Sequence, residues 1–217
     1  PTGVSATQGL YRIGQSGAEN LGGITGLPAG FQPTAADFDR NGNYYVTRAG
    51  GSNELYKINV ATNTATLVTM SQATPNLGDM SLNPLDGLLY GVAGTTLYII
   101  NPNTGAVTTR TMSQNGSWGT TFFDPAGTFY VYDNNGPFVT VNLTTGEVIP
   151  VSSGPTATRS DGGVCSYPPQ RLDTVKSAGT VTRVNATTFD VPYTIVIKNT
   201  GTTLAPNVQI TENLGLA

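Results

Sequence analysis

Histidine is absent from the 217 residues. That removes the Ser-His-Asp and Cys-His constellations and every His-ligated metal site, leaving carboxylate-pair and calcium-dependent chemistry open. Cysteine is nearly absent too. With a single thiol, Cys165, no disulfide can close within the chain. Cys165 reads either as a small buried hydrophobe or as an odd cysteine, a disulfide candidate whose partner lies outside these residues. Charged residues make up only 11% of the chain, against about a quarter in an average soluble protein. The net charge of −3 offers no basic footprint for nucleic acid. No apolar run reaches the length that spans a bilayer, so no membrane insertion is expected in this segment. Pro1 to Gln8 carry neither a basic start nor the apolar core of a signal peptide, so any leader is expected to be removed or to lie upstream.

What is present is a repeat. Ala36-Asp37-Phe38-Asp39-Arg40-Asn41-Gly42-Asn43-Tyr44-Tyr45-Val46 is echoed by Met80 to Gly91 and again by Thr121 to Val131. Each is followed by a Leu-Tyr-x-Ile-Asn type run, at Leu55–Asn59, Leu97–Asn101 and Phe138–Asn142, and then by a Thr/Val segment. The turn residues Gly42, Gly87 and Gly127 recur once per unit. They supply positive φ, and the neighbouring Asp and Asn residues supply Asx hydrogen bonds. Four short antiparallel strands per unit of roughly forty residues describe a propeller blade. Gly9–Gly14 matches the third strand of a preceding blade, Leu21–Thr25 its fourth, and Asp161–Ser166 the first strand of a following one. The chain is therefore expected to begin part-way through a propeller.

After Pro168-Pro169 the period is lost. Strands are expected at Arg171–Ala178, Thr180–Val184, Asp190–Asn199 and Asn207–Glu212, which is about half of a β-sandwich. The fold class is thus all-β. Residues 1–167 form a partial β-propeller of four-stranded antiparallel blades, 168–170 a linker, and 171–217 an incomplete Ig-like β-sandwich. Tyr193, Ile195 and Ile197 give that sandwich one apolar face, the condition that favours strand donation from the rest of the chain or from a neighbouring subunit.

Ala36–Val46, Asn83–Gly91 and Asp161–Cys165 together resemble an uncharacterised bacterial propeller-like domain (DUF6923-like) found at the start of large exported proteins. Leu172-Asp173, Lys176, Tyr193-Thr194-Ile195, Asn199-Thr200-Gly201, Ala205-Pro206-Asn207-Val208 and Thr211-Glu212 resemble the opening half of the bacterial surface repeat DUF11. The resemblance implies a secreted or cell-surface location and brings no catalytic residues with it.

Asp37, Asp39 and Asn41 place oxygen ligands at alternate positions before Gly42, as in the first half of a calcium loop. Asn83 and Asp124 stand where Asp39 does, so a structural turn is the preferred reading and calcium the alternative. Asp124, Asp133 and Asp161 are candidates for a carboxylate pair. Trp118, Tyr132 and Phe138 are read as packing between blades, with a sugar-stacking platform as the alternative. Lys176 and Asn199 could be joined by an isopeptide bond. The sequons at Asn115, Asn142 and Asn185 are read as plain surface asparagines. The leading expectation is a non-enzymatic structural or adhesive module, its partners other surface-protein domains or copies of itself, with no cofactor. The rivals are a ligand-binding propeller for glycan or calcium, and a carboxylate-dependent hydrolase or lyase.

Overall fold

The computed structural model describes residues 9–163, 172–200 and 208–211. The chain divides into two compact units, Pro1–Ser166 and Tyr167–Ala217. All regular structure in the described residues is β.

In the first unit β1 (Gly9–Gly14) and β2 (Gly17–Gly23) form a hairpin. The second strand starts four residues earlier than expected, because Gly17 takes a positive φ of 118° and turns the chain at once. Blade 1 is the sheet β3 (Pro33–Phe38), β4 (Asn43–Arg48), β5 (Ser52–Asn59) and β6 (Thr64–Thr74), paired in that order. Blade 2 contains β7 (Met80–Leu82), β8 (Leu89–Ile100) and β9 (Val107–Gly116). Blade 3 is β10 (Trp118–Phe123), β11 (Phe129–Asp133), β12 (Pro137–Val141) and β13 (Val148–Ser153). Every pairing is antiparallel.

Blade 2 departs from the four strands expected. β8 is one continuous element: it pairs with β7 through Leu89–Gly91 and with β9 through Gly94–Ile100. In the repeat those segments correspond to the second and third strands of the other blades. Gly94, at φ 57°, opens the second of these segments, and blade 1 has at the same point the three residues Ala49 to Gly51 outside strands.

The repeated turns form as their sequence requires. Asp39 Oδ1 accepts the N–H groups of Asn41 and Asn43 at 2.8 and 2.9 Å, and Asp124 Oδ1 those of Ala126 and Thr128 at 2.9 and 2.8 Å. Asn59, Asn101 and Asn142 each accept two backbone N–H groups in the third-to-fourth strand turn.

Alternate residues of each strand seal the blades against one another. Tyr90, Leu97 and Met112 of blade 2 meet Phe123, Phe129 and Val139 of blade 3 in one buried cluster, with Tyr90 edge-on to Phe123 at 5.2 Å. On the other side, Phe31, Val46, Tyr56 and Ile58 form the core that Ile24 and Leu27 cover.

The second unit holds β14 (Leu172–Ala178) paired with β17 (Tyr193–Asn199), and β15 (Thr182–Arg183) paired with β16 (Phe189–Asp190). The expected strand at Asp190–Asn199 is broken at Val191-Pro192, since Pro192 has no N–H to give a ladder; its carbonyl instead accepts the N–H of Gly179 at 2.7 Å. Val208–Thr211 is not a strand. Val208 and Ile210 line a recess with Leu172, Ile195 and Ile197, so this segment addresses the face of the sheet rather than its edge.

Candidate binding face

The chain reaches the inner strand of each blade through a short approach segment. Thr34 and Gly119, near the starts of β3 and β10, and Gly78 and Ser160, outside the strands, come to one place, where they line an open depression of about 580 Å³. Gly78 and Gly119 allow the close approach. A Cβ on Gly78 would overlap the Trp118 carbonyl oxygen, and one on Gly119 would overlap Ser160 Oγ and the Asn134 amide. Gln32, Asn76, Asn134, Arg159 and Asp161 complete the polar wall. Asn76 Oδ1 accepts the Gly50 N–H at 3.1 Å, and Asn134 Oδ1 accepts the Ser160 hydroxyl at 2.9 Å. Thr34 Oγ1 is shielded from solvent with no hydrogen-bond partner among the described residues.

Below this face the inner strands exchange a second set of bonds. Asp37 Oδ2 accepts the Leu82 N–H of the next blade at 2.7 Å. Asp79 Oδ2 accepts the Thr121 N–H at 2.7 Å while its Oδ1 accepts that of Met80 at 2.8 Å. Ser81 Oγ donates to the Thr121 carbonyl at 2.8 Å. Asp79 is 5% exposed, and burial pushes its carboxyl up to about 7; its two backbone hydrogen bonds oppose this, and the negative charges of Asp161 and Asp37 add to it. Asp37 is raised, again by burial first. Tyr44 feels all three carboxylates: burial and then Asp161, Asp37 and Asp79 raise its phenol.

A third set ties the outer strands. Ser71 Oγ of blade 1 accepts the Val107 N–H of blade 2 at 2.9 Å, and Ser113 Oγ of blade 2 accepts the Val148 N–H of blade 3 at 2.9 Å. Backbone bonds reinforce both joints, Ser71 N–H to Gly105 O at 2.8 Å and Ser113 N–H to Gly146 O at 2.9 Å. The same joint precedes blade 1, where Thr25 N–H donates to Asn63 O at 2.9 Å.

The residues singled out from sequence fall as follows. All four oxygens of Asp37 and Asp39 accept hydrogen bonds within the protein, those of Asp37 from Phe38 and Leu82 and those of Asp39 from Asn41, Asn43 and Tyr45. Asn41 enters the Asp39 turn through its own N–H. Burial works to raise the pKa of Asp39, but the bonds from Asn43, Asn41 and Tyr45 together hold it below the ordinary carboxylate value. Among the described residues no group of three or more Asp, Glu, Cys or His is placed to hold a metal.

Asp124, Asp133 and Asp161 are not gathered. Asp124 caps the turn at one end of β10–β11, and Asp133 binds Asn135 at the opposite end. Asp161 instead lies within electrostatic reach of Asp79 and Tyr44. Trp118 is buried between blades and donates Nε1–H to Gly94 O at 2.7 Å. Tyr132 gives its hydroxyl to the Pro155 carbonyl, and Phe138 stacks on Tyr130, with ring centres 5.6 Å apart. Lys176 lies over the Tyr193 ring at 4.5 Å and its strand residue pairs with Ile195, whereas Asn199 pairs with Leu172 at the other end of the sheet. Cys165 and the linker 168–170 lie outside the described residues.

Asp79, Ser71 and Ser113 were not anticipated. The serines had a signal: Thr69-Met70-Ser71-Gln72 recurs as Thr111-Met112-Ser113-Gln114, an identity too long for an outer strand free of constraint. Asp79 had none, because Asp37 does the same work from a position two residues further along its strand.

A family described as a repeat of unknown function, DUF6923, matches residues 2–167. The chain belongs to that family. No curated protein matches this DUF6923 chain. Among solved structures, a protein of unknown function from Bacteroides thetaiotaomicron VPI-5482 superposes with a TM-score of 0.53 at 15% identity, over 71% of this chain and 44% of its own. A streptogramin B lyase superposes with a TM-score of 0.50 at 14% identity, over 69% of this chain and 49% of its own. Such identities speak for the propeller-type fold alone. The DUF6923 chain spans about half the length of these structures.

Proposed function

We propose that this DUF6923 chain is a non-enzymatic adhesive module of a secreted or surface-located bacterial protein, with the blades as a rigid scaffold and the depression as its contact site. The observation that carries this reading is the convergence of one small residue from each of four successive units of the repeat, Thr34, Gly78, Gly119 and Ser160, on a single polar recess. Ligand sites are concavities of about this size with a few convergent polar groups. The buried carboxylates support a scaffold: both oxygens of Asp79 are held by backbone N–H groups, and the side chain is nearly buried. In this reading the second unit is an Ig-like, DUF11-like surface-repeat domain.

Display of the chain on a non-adherent bacterium tests the proposal. Adhesion to cells or matrix should appear with the wild-type chain and fall when Asn76 and Arg159 are both changed to alanine. Adhesion that is absent, or indifferent to those changes, removes the reading.

A further inference from the structure

We infer that the depression takes an uncharged polyhydroxylated ligand, a saccharide of one or two rings. This inference rests on the proposed binding role and adds its chemistry. The wall is dominated by neutral groups able both to donate and to accept. Asn76 and Asn134 each commit the side-chain oxygen to the protein, to the Gly50 N–H and the Ser160 hydroxyl, which leaves their NH₂ groups to donate. Gln32 is exposed on the same wall. Ser160 adds a small hydroxyl-bearing side chain to the same lining.

Charge selects further. Arg159 and Asp161 are both exposed and line the same recess with opposite signs. Together they give the wall a donor fork and a carboxylate acceptor, both of which suit sugar hydroxyls. The exposed carboxylate of Asp161 on this wall opposes a carboxylate or phosphate. A cation would find Arg159 in its way. Trp118 is not an open stacking platform, since its ring is buried in the inter-blade cluster, so recognition falls on hydrogen bonds and the affinity of a single site is expected to be modest.

The experiment is a glycan array probed with the 217-residue protein. Neutral hits are then titrated against wild type, Gln32→Ala, Asn76→Ala and Arg159→Ala, with amide chemical shifts of Gly78 and Gly119 followed by NMR. The expected result is binding to neutral glycans, shifts at both glycines, and a loss of affinity of about tenfold or more for each variant, as one or two ligand hydrogen bonds are removed. Melting curves show which variants fold; the glycine shifts in the wild-type protein test the location independently of any variant. The inference is overturned if the array binds only acidic glycans. It is equally overturned if neutral glycans bind without moving Gly78 and Gly119, or if a peptide library binds in their place. In the last case displayed cells would still adhere and the adhesive reading would stand; loss of both glycan binding and adhesion would remove the two together.

Discussion

Asp79 in the approach to the second blade accepts the backbone N–H of Thr121 in the third at 2.7 Å, so a nearly buried carboxylate joins two blades whose apolar faces are already sealed. Asp37 repeats the bond one blade earlier, to Leu82 at 2.7 Å. Inner strands of neighbouring blades are not hydrogen-bonded as a sheet, and these side chains satisfy N–H groups that would otherwise be stranded.

The acidity of Asp79 makes stability depend on pH in an uncommon direction. Unfolded, a carboxyl loses its proton near about 3.9; folded, Asp79 does so near 7. Between those values the folded chain holds the extra proton, so the Asp79 contribution is largest at the acid end and falls as pH rises towards 7. Asp37 acts in the same direction and Asp39 in the opposite one. Relative to Asp79→Asn, the wild type should gain on the order of 2 kcal/mol between pH 7.5 and pH 5, or about 4–8 °C in Tm. Parallel Tm–pH curves for the two proteins would contradict this.

Removing the outer clasps should cost little each and add. Ser71→Ala and Ser113→Ala each leave one N–H, of Val107 or Val148, without its side-chain acceptor, a loss of about 1 kcal/mol apiece. The sites serve different joints, so the double variant should lose the sum to within about 0.5 kcal/mol. Urea denaturation measures it, and a double variant no worse than either single one would deny the clasps their role.

Gly105→Ala should be far more damaging than Gly87→Ala, although the two backbones are alike, at φ 74° and 72°. A methyl on Gly105 would overlap the Thr69 carbonyl of the preceding blade; at Gly87 it meets open space. Strain at positive φ accounts for about 1 kcal/mol in both. The Gly105 variant should lose at least about 2 kcal/mol more as the joint opens. Equal losses would place the whole effect in the turn.

Leu55, Leu97 and Phe138 hold the same place in the third strand of the three blades, yet the first two are 0% exposed and Phe138 is only half-buried, stacked in a row with Tyr130 and Phe122. Leu97→Ala should cost about 2–5 kcal/mol, and Phe138→Ala less than about half of that despite the larger side chain removed. Thermal melts of the two variants decide it, and an equal or greater loss at Phe138 would mean its face is sealed.

The blades were legible in the chain because their information is local. Gly42, Gly87 and Gly127 mark turns that few other residues can make, Asp39 and Asp124 cap them through their nearest neighbours, and period-2 burial follows from the β pleat whatever surrounds it. Asn59, Asn101 and Asn142 likewise announce their turns without outside help. The linear pattern could not place what depends on the stacking of one blade upon the next. Asp161 looked like a partner for Asp124 and Asp133, but the strand direction carries those two to opposite ends of β10–β11 and sets Asp161 near Asp79. Asp79 and Asp37 do one job from unlike positions, so no alignment of repeats reveals it. The depression is likewise a tertiary object: Thr34, Gly78, Gly119 and Ser160 are each unremarked in sequence, and become a wall because stacked sheets bring successive inner strands side by side. Local hydrogen bonding decided the strands and turns; apolar packing between sheets decided which polar groups would meet.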